Sequence, residues 1–290
     1  VPELPEVETV VRDLRPRVVG RCIERVRVGK HPLRRPWQAR WTKALAQRRV
    51  EAARRRGKWI VLDLDGGGHL VVHLGMTGQF TVVSSAEPMA DHVHAIFSLD
   101  DGRELRFRDV RRFGSLTLFA DADQLHEFFE TAGLGPEPFD LPADYWRERL
   151  AAMDRCLKAV LLDQRVVAGV GNIYADESLF QAQLHPAQTA RSLSAGDADR
   201  LRQAIAAVLN QAIARRGSSI RDYVGGSGLR GEFQNEFRVY GRTGQPCPRC
   251  QTAIERLRLA GRSTHFCPKC QTFTTESQRT QRGKKEKIRI

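Results

Sequence analysis

Residues 59–74 read Trp59-Ile60-Val61-Leu62-Asp63-Leu64, then Asp65-Gly66-Gly67-Gly68, then His69-Leu70-Val71-Val72-His73-Leu74. Two apolar runs of strand length, split by a turn that opens on Asp-Gly, predict an antiparallel hairpin. The same texture extends to both sides. Cys22–Val28, Ala95–Leu99, Glu104–Phe107 and Ser115–Phe119 are further short runs, and Asp101-Gly102 is a second hairpin turn. Short strands at regular spacing over residues 21–120 predict an antiparallel β-sandwich or barrel. Upstream, Leu4, Val7, Val10, Val11, Leu14 and Val18 recur at helical spacing, with Pro5 in the first turn where it is tolerated.

Downstream the pattern changes. Residues 133–143 are rich in Gly and Pro and read as a domain boundary. Helical spacing follows over 143–163, 173–182 and 194–216, the last with Leu201, Ile205, Val208, Leu209 and Ile213 on one face. The stretch from Gly225 to Gly231 reads as a mobile, polar loop. The end of the chain, 276–290, holds six basic residues against two acidic ones and reads as a basic tail. The expected class is therefore α+β and multidomain: an antiparallel sandwich flanked by helices over 1–135, a helical domain over 136–235, and a small module over 236–275 before the tail.

That small module is defined by cysteine. Cys247-Pro-Arg-Cys250 and Cys267-Pro-Lys-Cys270 are separated by sixteen residues, inside the window for a four-thiolate zinc site. Residues 253–259 and 262–266, joined at Ala260-Gly261, form a hairpin that brings the two knuckles together. Four cysteine ligands leave no position open for water, so one zinc per chain is expected to be structural. A pair of disulfides is the alternative. Cys22 and Cys156 are isolated and read as buried structural residues.

Charge points to the partner. The chain has 290 residues, with 47 Lys and Arg against 34 Asp and Glu, a formal charge of +13. Such an excess suits a polyanion, either nucleic acid or an anionic membrane. The apolar runs fall far short of the ~20 residues a bilayer span requires. Glu3, Glu6 and Glu8 stand where a secretory signal would carry basic and apolar residues. A soluble chain in the cytoplasm is expected, a reducing compartment where disulfides do not persist.

The amino terminus offers chemistry. Read blandly, Pro2 starts a helix and Glu3 and Glu6 are first-turn carboxylates favoured by the helix dipole. Read for reactivity, a free N-terminal proline is a secondary amine that can attack an electrophilic carbon and form an iminium. Glu3 is placed beside it for proton transfer.

Pro2-Glu3-Leu4-Pro5-Glu6-Val7-Glu8 resembles the opening of the formamidopyrimidine-DNA glycosylases, bacterial base-excision enzymes for oxidised purines. The resemblance continues in order along residues 2–273. Arg56-Gly57-Lys58 is similar to the family's lysine turn, and His73-Leu74-Gly75-Met76-Thr77-Gly78 to its methionine loop. Asp109-Val110-Arg111-Arg112-Phe113-Gly114 resembles its arginine–phenylalanine loop. Gln164 to Glu177, with Gly169-Val170-Gly171-Asn172, resembles the signature of its helix–two-turn–helix domain. The cysteine module with Arg262 resembles its zinc ribbon.

The resemblance implies a bifunctional glycosylase and lyase acting, as a monomer, on damaged double-stranded DNA. Pro2 would attack C1′ of the sugar, Glu3 would shuttle protons, and β,δ-elimination would cut the strand. Met76, Arg111 and Phe113 would fill the gap left by the extruded base, with Arg111 on the orphaned cytosine. Lys58, Asn172 and Arg262 would clamp phosphates, Lys158 would lie at the lesion pocket, and His73, Glu6, Ser218 and Tyr240 would support the site. Two departures stand out. Val1 precedes the proline, as a GTG start codon read literally would give, and Val110 follows Asp109 where many relatives have proline. The rival readings are an endonuclease VIII type, specific for oxidised pyrimidines, and a non-enzymatic zinc-ribbon binder of damaged DNA.

Overall fold

The computed structural model describes residues 2–219 and 224–273. Val1 and the tail at 276–290 lie outside the described residues. Contacts divide the chain into two compact units: residues up to Gly133 together with Ala212–Gln234, and Leu134–Gln211 together with the residues from Asn235 onward.

The first unit opens with α1 (Leu4–Val18), which buries Leu4, Val7, Val10, Val11, Leu14 and Val18, the face set by its spacing. Then come β1 (Cys22–Val28), α2 (Ala39–Leu45), β2 (Arg48–Arg56), β3 (Trp59–Leu64), β4 (His69–His73), β5 (Gly78–Ser84), β6 (Val93–Leu99), β7 (Arg103–Asp109), β8 (Ser115–Phe119) and α3 (Ala122–Thr131). Asp121 caps α3 through the Gln124 amide at 2.8 Å. The strands form one antiparallel sheet in the order β5-β7-β6-β1-β2-β3-β4-β8. Its halves, β5-β7-β6-β1 and β2-β3-β4-β8, join where Cys22 and Ile23 pair Arg49 and Arg48. Both halves feed one core with α1, in which Ile60, Leu62 and Val72 of one half cluster with Phe80, Phe97 and Phe107 of the other. That is the expected sandwich.

The second unit holds α4 (Ala143–Ala151), α5 (Leu157–Leu162), α6 (Asn172–Gln181), most of α7 (Ala195–Ala214) and a hairpin of β9 (Glu255–Leu259) and β10 (Arg262–Phe266). The spacing predicts a single helix over 143–163, but the structure breaks it in two. Cys156 bridges to Thr189, and the carbonyls of Met153 and Arg155 accept from the amides of Arg191 and Ala190. The chain between the helices is thus drawn into extended pairing. Cys22 and Cys156 are half-buried free thiols, less enclosed than their settings suggest. Among the described residues no helix is long and apolar enough to cross a membrane.

Candidate functional site

Sheet register gathers at one edge of the first unit the three turns that carry expected site residues. Trp59 pairs His73, His73 pairs Ser115, and Gly78 pairs Asp109. The β2–β3 turn carries Lys58, the β4–β5 turn Met76, and the β7–β8 loop Arg111 and Phe113. The Lys58 turn is braced from below: Arg55 donates to the Gly57 carbonyl at 3.0 Å and to Glu8 of α1 at 3.1 Å. Burial pushes the Glu8 carboxyl up, but its hydrogen bonds and charge contacts with Arg12 and Arg55 outweigh this, so the net shift is downward and the brace stays charged.

His73 closes the next turn. Its Nδ1 accepts the Gly75 amide at 3.0 Å, and its ring lies 4.5 Å from that of Trp59. Burial, with Lys58 and Arg34 nearby, lowers its pKa to about 4, so the ring is neutral at physiological pH and keeps Nδ1 as an acceptor. Gly75 has φ +61°, and a Cβ there would come within 2.5 Å of the backbone at Phe113 and Gly114. Only glycine permits this approach of the Met76 turn to the Arg111–Phe113 loop. At the tip, Arg111 and Phe113 are exposed, and the guanidinium carbon lies 4.6 Å from the Phe113 ring centre. This is an apolar wedge stacked on a fork of donors.

At the head of α1, Pro2 and Glu3 are buried, and Glu3 and Glu6 form a reciprocal capping box. One Glu6 oxygen accepts the Glu3 amide at 2.8 Å; the other accepts the Ser218 amide at 2.7 Å and hydroxyl at 3.1 Å. Glu6 thus ties the residue after Pro2 to Ser218. The glycine-rich stretch is fixed further on, where the sequence reads as mobile. Asp13 accepts from Arg216 at 2.6 Å and from the Ser227 hydroxyl at 2.8 Å, and the Gly226 carbonyl accepts from Val82 at 3.3 Å.

In the second unit, α6 begins at Asn172 after Gly171. Gln164 braces the turn before it, accepting the Gly169 amide at 2.9 Å and donating to the Val170 carbonyl at 2.7 Å. Asn172 donates to the Ser263 carbonyl at 3.2 Å, which sets it beside exposed Arg262 on β10. Beneath them lies a charged node. Lys158, expected at the lesion pocket, has no exposed side-chain surface; its Nζ is 2.5 Å from Asp176 and 2.9 Å from the Asn172 carbonyl. The other Asp176 oxygen accepts the His265 amide at 2.9 Å and lies 3.0 Å from His265 Nδ1. Tyr240 packs its ring edge-on to His265, and its amide, with those of Val239 and Arg238, is held by Glu177. Burial pushes the Glu177 carboxyl up against those three amide bonds.

The four cysteines of the ribbon converge, all Sγ atoms lying within 4.8 Å of one another, with Cys247–Cys270 at 3.9 Å and Cys250–Cys267 at 3.5 Å. Tetrahedral zinc with bonds near 2.3 Å requires sulfurs about 3.8 Å apart. The Arg249 and Cys270 amides approach Cys247 and Cys267 sulfur at 3.4 Å, as metal knuckles do. The donor set fits zinc.

Sequence reasoning gave no role to Asp109, Thr77, Asp176 or His265. The first three lie inside the motifs quoted above and His265 does not, but each acquires its role from partners distant in the chain.

Comparison with known proteins decides the family. Residues 1–116 match the formamidopyrimidine-DNA glycosylase N-terminal domain, 134–224 the H2TH domain of the same enzymes, and 244–272 the zinc finger found in FPG and IleRS. The formamidopyrimidine-DNA glycosylase of Moorella thermoacetica is 50% identical over 262 residues, covering 89% of this chain and 95% of the relative. That of Chloroflexus aggregans is 46% identical over 260 residues, covering 89% and 94%. The chain belongs to the formamidopyrimidine-DNA glycosylase family. It is a DNA glycosylase of base excision repair with a structural zinc site. Among solved structures, a complex between Lactococcus lactis Fpg and abasic-site DNA superposes with TM-score 0.87 at 36% identity, covering 93% of this chain and 99% of that one. MutM bound to DNA containing carbocyclic 8-oxo-G gives 0.86 at 36%, covering 93% and 100%.

Proposed function

We propose that this enzyme excises oxidised purines, 8-oxoguanine opposite cytosine and formamidopyrimidines, from double-stranded DNA and then cuts the strand as a lyase. The head of α1 carries this reading: Pro2 stands immediately before a capped helix whose Glu3 and Glu6 are fixed by hydrogen bonds. The Pro2 nitrogen attacks C1′, the glycosidic bond breaks and the base leaves. Glu3 protonates the ring oxygen, the sugar opens and an iminium forms. Loss of a C2′ proton expels the 3′ phosphate, a second elimination expels the 5′ phosphate, and water releases the Schiff base. An amide nitrogen has no lone pair for this attack, so the active form must lack Val1.

Met76, Arg111 and Phe113 fill the vacated stack, Lys58, Asn172 and Arg262 hold phosphates, and His73, Glu6, Ser218 and Tyr240 support these positions. Lys158 acts through Asn172, whose carbonyl it holds. Residues 1–135 serve as the catalytic domain, 136–235 as the helix–two-turn–helix domain with a lesion-capping loop, and 236–275 as the ribbon. The enzyme works as a monomer on cytoplasmic DNA. The test is a duplex with one 8-oxoguanine opposite cytosine. Cleavage with a phosphate on both new ends is expected; base release with an intact strand would refute the lyase step.

A further inference from the structure

Asp109 has no exposed surface, and its side chain pairs with no cation among the described residues. Three neutral groups hold it instead. Oδ1 accepts from the Thr77 hydroxyl at 2.5 Å and the Arg111 amide at 3.3 Å, and Oδ2 accepts from the Gly114 amide at 2.7 Å. The Arg111 amide also donates to Thr77 Oγ1 at 3.0 Å, which leaves the hydroxyl proton to point at Asp109. The backbone is fixed as well: the Asp109 amide donates to the His92 carbonyl at 3.0 Å, and its carbonyl accepts from Arg112 at 3.3 Å and lies 2.9 Å from His94 Nε2. Arg112 adopts φ +54°, an uncommon conformation for a non-glycine residue. The loop between Asp109 and Gly114 is therefore bent around one carboxylate, and Thr77 stitches it to the turn that carries Met76.

We propose that Asp109, through Thr77, is the positioning residue that holds the Met76 turn and the Arg111–Phe113 tip as one rigid element. It thereby sets discrimination of the base opposite the lesion. The proposal rests on the gap-filling assignment of those three residues. A buried carboxylate satisfied by backbone amides of the loop it shapes fixes where the guanidinium starts, and a bidentate base contact depends on that placement. Neither Asp109 nor Thr77 needs to touch DNA.

The experiment measures excision of 8-oxoguanine opposite cytosine against adenine, with cleavage of an abasic site as control, in the full-length enzyme. Thr77→Val removes the hydroxyl while keeping the shape; Thr77→Ser restores it. Asp109→Asn places an NH2 against either the Thr77 hydroxyl or the Gly114 amide. Thr77→Val and Asp109→Asn are expected to lower the cytosine preference about tenfold, within the range a lost bidentate contact allows. Abasic cleavage should change little, and Thr77→Ser should recover the preference. Arg111→Ala is measured beside them. If it loses the preference and the Thr77 and Asp109 variants keep it, the positioning role is overturned and the gap-filling reading stands. If Arg111→Ala also keeps the preference, the gap-filling reading falls and the proposal with it. Equal loss on the abasic substrate in Thr77→Val would show a general structural role and likewise overturn it.

Discussion

At the tip of the first unit a buried carboxylate, Asp109, is satisfied by a hydroxyl and two amides; at the ribbon of the second, Asp176 is satisfied by the Lys158 ammonium and His265. The surroundings differ in the same sense. The sheet beneath Asp109 shares a core fed by α1 and all eight strands, whereas Phe180, Val239 and Ile254 cluster beside the ribbon with the cysteines themselves. Where apolar burial already fixes the scaffold, neutral hydrogen bonds suffice to aim a loop. Where a small hairpin has to be held without such a core, full charges and a metal take over.

Removing the metal should have the largest effect. Cys247→Ser is expected to abolish stoichiometric zinc and unfold the ribbon, since zinc supplies about 10–16 kcal/mol to small thiolate modules. DNA affinity should fall while the β-sheet keeps its circular dichroism. Active protein without zinc by metal analysis would show that the ribbon holds together without the metal.

Next comes the ion pair. Lys158→Met leaves the buried Asp176 charge uncompensated and should destabilise by about 3–5 kcal/mol, with Asp176→Asn in the same chain recovering much of it. Denaturant unfolding of the cycle measures both. A loss no larger than that of Thr77→Val would show that the two nodes do not differ.

His73 gives a pH signature to the first unit. Its pKa is lowered to about 4 when folded. Below an unfolded value near 6.5, the unfolded chain takes up a proton that the folded chain refuses. Its contribution is therefore complete above that pH and is lost as pH falls toward 4, by at most about 3 kcal/mol. Urea unfolding between pH 7 and pH 4.5 should show this slope, and His73→Gln should flatten it. The smallest effect concerns phosphate: Arg262→Ala and Lys58→Ala should each reduce the salt slope of duplex binding by about one, on damaged and undamaged DNA alike.

Much of this was legible in the chain. Predominantly apolar runs such as Trp59–Leu64 became strands at their expected bounds, and the cysteine spacing located the ribbon. β2 was not legible, because five of its nine residues are arginine and a bulge between Val50 and Ala52 breaks the alternation by which strands are recognised. The gap between α4 and α5 was hidden because residues near 190 impose it. The same holds for the nodes: Asp109 depends on Thr77, 32 residues away, and Asp176 on His265, 89 residues away. Motif resemblance assigned roles to Arg111, Phe113, Asn172 and Arg262, but none to Asp109 and Asp176, which lie in the same motifs.

Borohydride trapping on an 8-oxoguanine duplex shows whether the Pro2 nitrogen is the nucleophile. A lysine is the alternative amine, but an ordinary lysine pKa of about 10.4 leaves it protonated. A covalent complex is expected, with a peptide map that places DNA on Pro2 at the amino terminus of the active chain. Glu3→Gln should bind the lesion yet trap little. A cross-link on Lys58 or Lys158, or efficient trapping by protein that retains Val1, would rule out Pro2 as the nucleophile.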